Sequence, residues 1–166
     1  MRDVGGEYLR AVRQRFAEMK QVAERAMAQV SDEELHWSPH EEANSIAVLV
    51  KHLSGNMRSR WTDIFTTDGE KPDRNRDAEF EPEALTRADL MEIWNQGWAR
   101  FQETLDALTE EDLLRTVFIR EQPHSVIQAI ERQMYHYSYH IGQIVYIAKL
   151  LRGTGWQSLT IPRRRA

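Results

Sequence analysis

The sequence has 166 residues and contains no cysteine. This absence excludes disulfide bonds, thiolate metal ligands and a cysteine nucleophile, and it suits a reducing compartment, so we expect a cytoplasmic protein. Long apolar runs are also missing. The run from Ile46 to Val50 is typical, whereas a membrane-spanning helix needs about 20 apolar residues. The first ten residues lack the apolar segment of a signal peptide, so we expect neither export nor a membrane partner.

An excess of positive charge is absent as well. Lys and Arg together number 22 and Asp and Glu number 26, which gives a formal net charge of −4. A chain of this charge has no basic field for holding a phosphate backbone, and we expect no nucleic-acid partner. The length is that of a single folded unit, so residues 1–166 are predicted to form one domain.

What the sequence does have is helical periodicity. Apolar residues recur at steps of three and four, and Ser125 with Gln128 forms a capping box, as Thr86 with Asp89 does. Asn44 or Ser45 offers the cap of the second helix. The four predicted helices lie near residues 5–30, 45–66, 86–107 and 125–152. We predict an all-α four-helix bundle, with a long polar loop over residues 66–82 between helices two and three.

One short segment departs from this periodicity. Residues 117–120 have the composition of an extended segment and precede Pro123. They are the only stretch for which we predict a strand-like conformation.

Three of the six histidines are predicted to border the buried faces of two helices. His136 and His140 are four residues apart on helix four, and His52 borders the apolar stripe of helix two. Side chains at i and i+4 have Cβ atoms about 5–6 Å apart, so this pair can converge on one ion with a third imidazole from a facing helix. Such a set with open positions suits catalytic Zn²⁺ or Ni²⁺. The alternative is that each histidine is a hydrogen-bonded core residue.

The motif also limits the chemistry. The H-x-x-x-H sequence lacks the glutamate of H-E-x-x-H, which disfavours a metalloprotease. The other histidines, His36, His40 and His124, lie in connecting segments and are predicted to be surface groups.

Polar residues near the histidines are candidates for substrate binding. Asn56 lies one turn after His52, and Gln133 and Gln143 flank the histidine pair, so each could contact a ligand, orient a histidine or simply lie at a polar rim. Guanidinium groups suit carboxylates and phosphates, and four arginines could bind such a group if the long loop folds over the bundle end. These four are Arg58, Arg60, Arg74 and Arg76. The alternative is that they pair with the acidic residues around them.

A second stripe on helix four lies opposite its predicted core face. It consists of Tyr135, Tyr139, Gly142, Tyr146 and Leu150. Tyrosine is favoured in interfaces, so we predict a homodimer through this stripe unless helix one or helix three covers it. The final Arg163, Arg164 and Arg165 are predicted to form a solvated tail.

Several motifs resemble the DinB-like superfamily. They are an N-S-I-A-x-L-V-x-H-L motif at residues 44–53, the W-S-P sequence before it at residues 37–39, and the H-x-x-x-H motif. Residues 55–61, 68–77 and 135–146 resemble one uncharacterised bacterial branch of that superfamily. The resemblance implies a four-helix bundle in which His52, His136 and His140 bind one divalent metal ion per chain, commonly zinc or nickel.

The resemblance also implies a class of reaction. Relatives include bacillithiol- and mycothiol-dependent transferases and isomerases, so we expect metal-dependent transfer of a low-molecular-weight thiol onto a small electrophile. The sulfur would come from outside because the chain has no cysteine, and Arg58 or Arg60 could hold a carboxylate of the thiol. A metal-dependent small-molecule hydrolase and a non-catalytic binding module remain open alternatives.

Overall fold

The structure is a computed structural model that describes residues 3–162. Four long helices dominate it: α1 (Val4–Met27), α2 (Ile46–Trp61), α3 (Arg87–Ala107) and α4 (Val126–Arg152). Strands β1 (Thr116–Ile119) and β2 (Gln122–Ser125) form an antiparallel hairpin between α3 and α4. Short 3₁₀ turns lie at Glu34–His36, Asp77–Phe80, Glu110–Asp112 and Gly153–Gly155. The predicted mostly helical bundle is confirmed, and the predicted arginine tail at Arg163, Arg164 and Arg165 lies outside the described residues.

The helix starts follow the capping residues in the sequence. The Ser45 hydroxyl accepts a hydrogen bond from the Val48 N–H at 3.2 Å, so Ser45 rather than Asn44 caps α2. Both predicted capping boxes are present at the starts of α3 and α4. At the other end of α4, Gly153 has a φ of 51° and stops the helix.

Helices α1 and α2 end earlier than predicted, α1 at Met27 and α2 at Trp61. Beyond α2, Asp63 adopts a left-handed conformation with a φ of 49°, and its carbonyl accepts the N–H groups of Thr66 and Thr67, each at 3.0 Å. Ile64 nevertheless stays buried in the core. The chain stays packed against the core after α2 ends. The apolar pattern of the sequence therefore extends beyond the helix, which is why the helix was predicted to be longer.

The bundle brings α2 close to both α3 and α4. A Cβ at Gly97 of α3 would lie only 2.7 Å from the Cα of Ser54, so the absence of a side chain there lets α2 and α3 approach each other. The largest fully buried side chains are aromatic and include Trp61, Trp94, Trp98 and Tyr137. This core fixes the register of α2 against α4, the two helices that carry the predicted histidine ligands.

The predicted extended segment pairs with a second strand that was not predicted. Strand β2 contains Pro123, which lacks an N–H, and a four-residue strand is too short to show a period of its own. The two-residue turn between the strands is made by Arg120 and Glu121, with φ values of 52° and 62°. This is a left-handed turn without glycine or asparagine, the residues that such turns prefer.

The loop between α2 and α3, residues 62–86, is attached to this hairpin. Both carboxylate oxygens of Asp68 accept backbone N–H groups of the turn, from Arg120 at 2.9 Å and from Glu121 at 2.7 Å. The Gly69 N–H donates to the Phe118 carbonyl at 2.8 Å. The loop is therefore held over one end of the bundle, close to α2 and α4.

Neither α1 nor α3 covers the outward stripe of α4. Tyr135, Tyr139, Tyr146 and Leu150 are all exposed, and a Cβ built at Gly142 would meet nothing within 4 Å. The homodimer predicted from this stripe stays a prediction. Across residues 3–162, none of the helices combines the length and the apolar character required to cross a bilayer.

Candidate metal centre

The three predicted histidines lie together where α2 faces α4. His52, His136 and His140 each offer one ring nitrogen, and these nitrogens all lie within 4.8 Å of one another. The Nε2 atoms of His52 and His136 are 3.1 Å apart. A metal with metal–nitrogen distances of about 2.0–2.1 Å separates neighbouring ligand nitrogens by about 2.8–3.4 Å, depending on its geometry. The His52–His136 pair has such a separation, and the three nitrogens together lie close enough that the group could hold one ion.

The surroundings of His136 and His140 favour neutral imidazoles. His52 and His140 are buried and His136 is half-buried. Burial, together with the neighbouring His140 and His52, lowers the pKa of His136 to about 3. Burial also lowers the pKa of His140. Neutral rings present a lone pair without competition from a proton, which is the form that a metal ion requires.

A carboxylate from the loop orients His52. The Nδ1–H of His52 donates to Oε2 of Glu79 at 2.9 Å, which leaves the Nε2 lone pair directed at the cluster. Arg74 holds the same carboxylate through two hydrogen bonds of 2.8 Å, one to each oxygen. Burial raises the pKa of Glu79, but the hydrogen bonds from His52 and Arg74 outweigh it and keep that pKa below its usual value. A carboxylate behind a ligating histidine is a common way of fixing its tautomer and raising its basicity.

Gly55 makes room for this carboxylate. A Cβ at Gly55 would lie 2.1 Å from Oε1 of Glu79, so any other residue at this position of α2 would collide with the loop. The ring of Phe80, the next loop residue, packs 4.8 Å from the ring of His52. The loop thus covers the back of His52 with one charged and one aromatic side chain.

His140 has an orienting partner on its own helix. Its Nδ1–H donates to Oε1 of Gln143 at 2.8 Å, so its Nε2 also has a free lone pair. Gln143, predicted as a substrate-binding or orienting residue, contacts a histidine and does not line the pocket in front of it.

His136 is held differently, by a chain of buried amides. The Trp61 indole donates to Oε1 of Gln133 at 3.1 Å, which directs the amide nitrogen of Gln133 to Oδ1 of Asn56 at 2.8 Å and to Nδ1 of His136 at 3.3 Å. In this network the proton of His136 is on Nε2, facing Nε2 of His52. Metal binding at Nε2 therefore requires this proton to leave that nitrogen.

An open pocket of about 450 Å³ lies in front of the three histidines. Besides the histidines, it is lined by Asn56, Arg60, Arg74, Arg76, Phe80, Arg120, Arg132 and Tyr135. Of the predicted substrate-binding residues, the structure brings Asn56, Arg60, Arg74 and Arg76 to this pocket. It does not bring Arg58, which is exposed and lines a neighbouring groove. Arg58 is two residues from Arg60, and two residues on a helix point about 200° apart.

Four site residues were missed in the sequence: Glu79, Phe80, Arg120 and Arg132. Arg132 lies four residues before His136, so helical spacing alone could have placed it on the same face. Glu79 and Arg120 carried no such signal, because both belong to irregular segments whose position depends on the folded loop and hairpin. His36 and His40 are exposed as predicted, and His124 is half-buried in β2.

Comparison with known proteins identifies the family of the chain. A search of curated proteins returned no match. The model of the family described as "Protein of unknown function (DUF1572)" matches residues 3–165, nearly the whole chain. The protein therefore belongs to the DUF1572 family.

Proposed function

We propose that the protein is a DinB-like, metal-dependent transferase that moves a low-molecular-weight thiol onto a small electrophile. The observation that carries the proposal is a set of three histidine nitrogens in the wall of an open pocket whose described lining residues include no Asp or Glu. Its volume suits a small molecule. We propose a cytoplasmic location, since the sequence has no cysteine.

His52, His136 and His140 would hold one divalent ion, zinc or nickel, with Glu79 and Gln143 fixing the orientation of two of the rings. The ion, when bound, would supply Lewis acidity that lowers the pKa of a thiol and stabilises its thiolate near neutral pH. Because the chain has no cysteine, the sulfur must belong to a co-substrate.

The residues around the histidines favour transfer over hydrolysis. In the transfer reaction, a bond forms between the thiolate sulfur and the electrophilic carbon, and the thiol proton passes to solvent. With a chloronitrobenzene, chloride departs with its bonding electrons. With an epoxide, the ring C–O bond breaks and its oxygen takes a proton from solvent. This reaction requires no general base from the protein. Glu79 is poorly placed to act as one, because it does not line the pocket and its oxygens already accept three hydrogen bonds from His52 and Arg74. A hydrolase would benefit from a carboxylate that is free to take a proton from water.

The proposal is tested by incubating metal-loaded protein with a chloronitrobenzene or an epoxide, with and without bacillithiol, cysteine or glutathione. We expect product that requires both metal and thiol, that is lost in His140→Ala, and that persists in Arg58→Gln, whose side chain lies outside the pocket. Hydrolysis at the same rate without thiol would contradict transfer and favour the hydrolase. Thiol binding without product from any electrophile would favour a non-catalytic binding module.

We also propose that the protein is a homodimer through the exposed stripe of α4. Three exposed tyrosines and Leu150 surround Gly142, where the helix surface is free of neighbouring atoms. We expect light scattering at tens of micromolar to return twice the monomer mass of 19.5 kDa, and Tyr139→Glu with Tyr146→Glu to return the monomer mass. A wild-type monomer at that concentration would contradict the proposal.

A further inference from the structure

The pocket in front of the histidines is strongly cationic. Five of its lining residues are arginines: Arg60, Arg74, Arg76, Arg120 and Arg132. Three nearby carboxylates pair with members of this group, and one of them, Asp77, lies 3.6 Å from Arg76. Glu79 is occupied by Arg74 and His52, and Glu70 is shared among Arg74 at 3.2 Å, Arg120 at 3.1 Å and Arg60 at 3.7 Å. The guanidinium groups therefore outnumber the carboxylates that neutralise them.

Arg60 is the least satisfied of these arginines. Only 7 % of its surface is exposed, and its buried Nε has no hydrogen-bond partner in the described chain. Its contact with Glu70, at 3.7 Å, is too long for a hydrogen bond. Burial lowers the pKa of Arg60 to about 10, which still leaves it charged at neutral pH. A buried charge without hydrogen bonds is costly, and an anion in the pocket would offset that cost.

Two further arginines face the same space from different elements. Arg132 on α4 is exposed and makes no ion pair or side-chain hydrogen bond with any residue between positions 3 and 162. Arg120 reaches the pocket from the left-handed turn of the hairpin, where Asn and Gly are the favoured residues. This turn, whose N–H groups are held by Asp68, places the Arg120 guanidinium group at the pocket.

We propose that Arg60, Arg120 and Arg132 form a subsite beside the metal centre for the oxyanion group, a dicarboxylate or a phosphate, of a small substrate. This deepens the proposed function, because the anion would belong to a substrate of the same pocket. Guanidinium groups bind planar carboxylates and phosphates through paired hydrogen bonds, and three of them suit a doubly charged group better than a single carboxylate. The subsite would hold the substrate at the end remote from its reacting atom.

The subsite is tested by calorimetric titration of the metal-loaded protein with inorganic phosphate and with succinate. We expect one of the two to bind, and the one that binds identifies the oxyanion. Its affinity should fall about tenfold to hundredfold in Arg60→Gln and in Arg132→Gln, because each variant removes charge-assisted hydrogen bonds. Arg58→Gln is the matched control on the same helix and should bind as the wild type does. If Arg60→Gln does not fold, the titration of Arg132→Gln still tests the subsite, because Arg132 is exposed.

The His140→Ala variant, which lacks one of the three histidines, distinguishes this proposal from the proposed function. In His140→Ala, the anion should still bind in an Arg132-dependent manner, although more weakly. The subsite would be overturned if neither anion binds to wild type, if both arginine variants bind as tightly as wild type does, or if all binding disappears in His140→Ala. Failure of the thiol-transfer assay alone would leave these titrations unchanged.

The hairpin turn provides an independent measurement. Arg120→Asn combined with Glu121→Gly installs the preferred residues of a left-handed turn, so the melting temperature should rise while the anion affinity falls. Glu121→Gly alone should raise the melting temperature and keep the affinity. An unchanged affinity in the double variant would exclude Arg120 from the subsite.

Discussion

Protein purified without added metal is expected to contain near-stoichiometric zinc or nickel, and replacement of His140 by alanine is expected to abolish that content. The same result is expected for His52→Ala and His136→Ala, because each change leaves only two of the three ring nitrogens that converge within 4.8 Å. Elemental analysis measures the effect directly. His36→Ala, in an exposed connector, is the matched control and should retain the metal. A full metal content in all three cluster variants would contradict the assigned site.

Removal of the metal should also lower stability. A ligand that binds only the folded state stabilises it by about 2.7 kcal/mol when its free concentration is 100 times its Kd. For a chain of this length, we expect chelation to reduce the Tm by about 5–10 °C. Thermal unfolding with and without a chelator measures the shift. The shift should vanish in His140→Ala, and an equal shift in that variant would show that the chelator acts elsewhere.

Gly55→Ala is expected to weaken metal binding about tenfold to hundredfold, the usual effect of losing a group that orients a ligand. The added methyl group would lie 2.1 Å from Oε1 of Glu79, so the carboxylate must move away from Nδ1 of His52. Replacing glycine by alanine inside a helix ordinarily stabilises it by about 0.5–1 kcal/mol, and here the collision opposes that gain. Glu79→Gln keeps the shape of the side chain but removes its charge. It should weaken metal binding as well, because the carboxylate raises the basicity of His52.

The matched control is Gly142→Ala, also inside a helix, where an added Cβ meets nothing within 4 Å. Its metal affinity should equal that of the wild type. Competition with a chromophoric chelator compares the two variants under one condition. Equal affinities for Gly55→Ala and Gly142→Ala would show that the contact between Glu79 and His52 has no influence on the metal.

The helices, and the helix faces on which the three histidines lie, could be predicted because both depend on local spacing. Capping residues and a period of 3.6 residues define α3 and α4, and the separation of His136 from His140 places them on one face of α4. The same spacing explains which of the other α2 residues line the pocket. His52, Asn56 and Arg60 follow one another at steps of four and all line the pocket, whereas Arg58 falls on another face.

The rest of the site depends on contacts between distant segments. Glu79 is 27 residues from His52 and lies in a polar loop without a period, so nothing local indicates that it reaches the helix. Arg120 is in the pocket only because the hairpin forms and Asp68 accepts the two N–H groups of its turn. Such contacts follow from the packing of the whole chain, which a repeating pattern of apolar residues does not encode.

The division of the site between helices and loop has an evolutionary consequence. The histidines lie on α2 and α4, whose register is fixed by a close-packed aromatic core, so their positions relative to one another can change only together with that core. Glu79, Arg74 and Arg76 lie in the loop of residues 62–86, and connecting segments tolerate substitution, insertion and deletion. Descendants of such a protein could acquire a different metal affinity or a different substrate by altering the loop alone, while inheriting the ligand set intact.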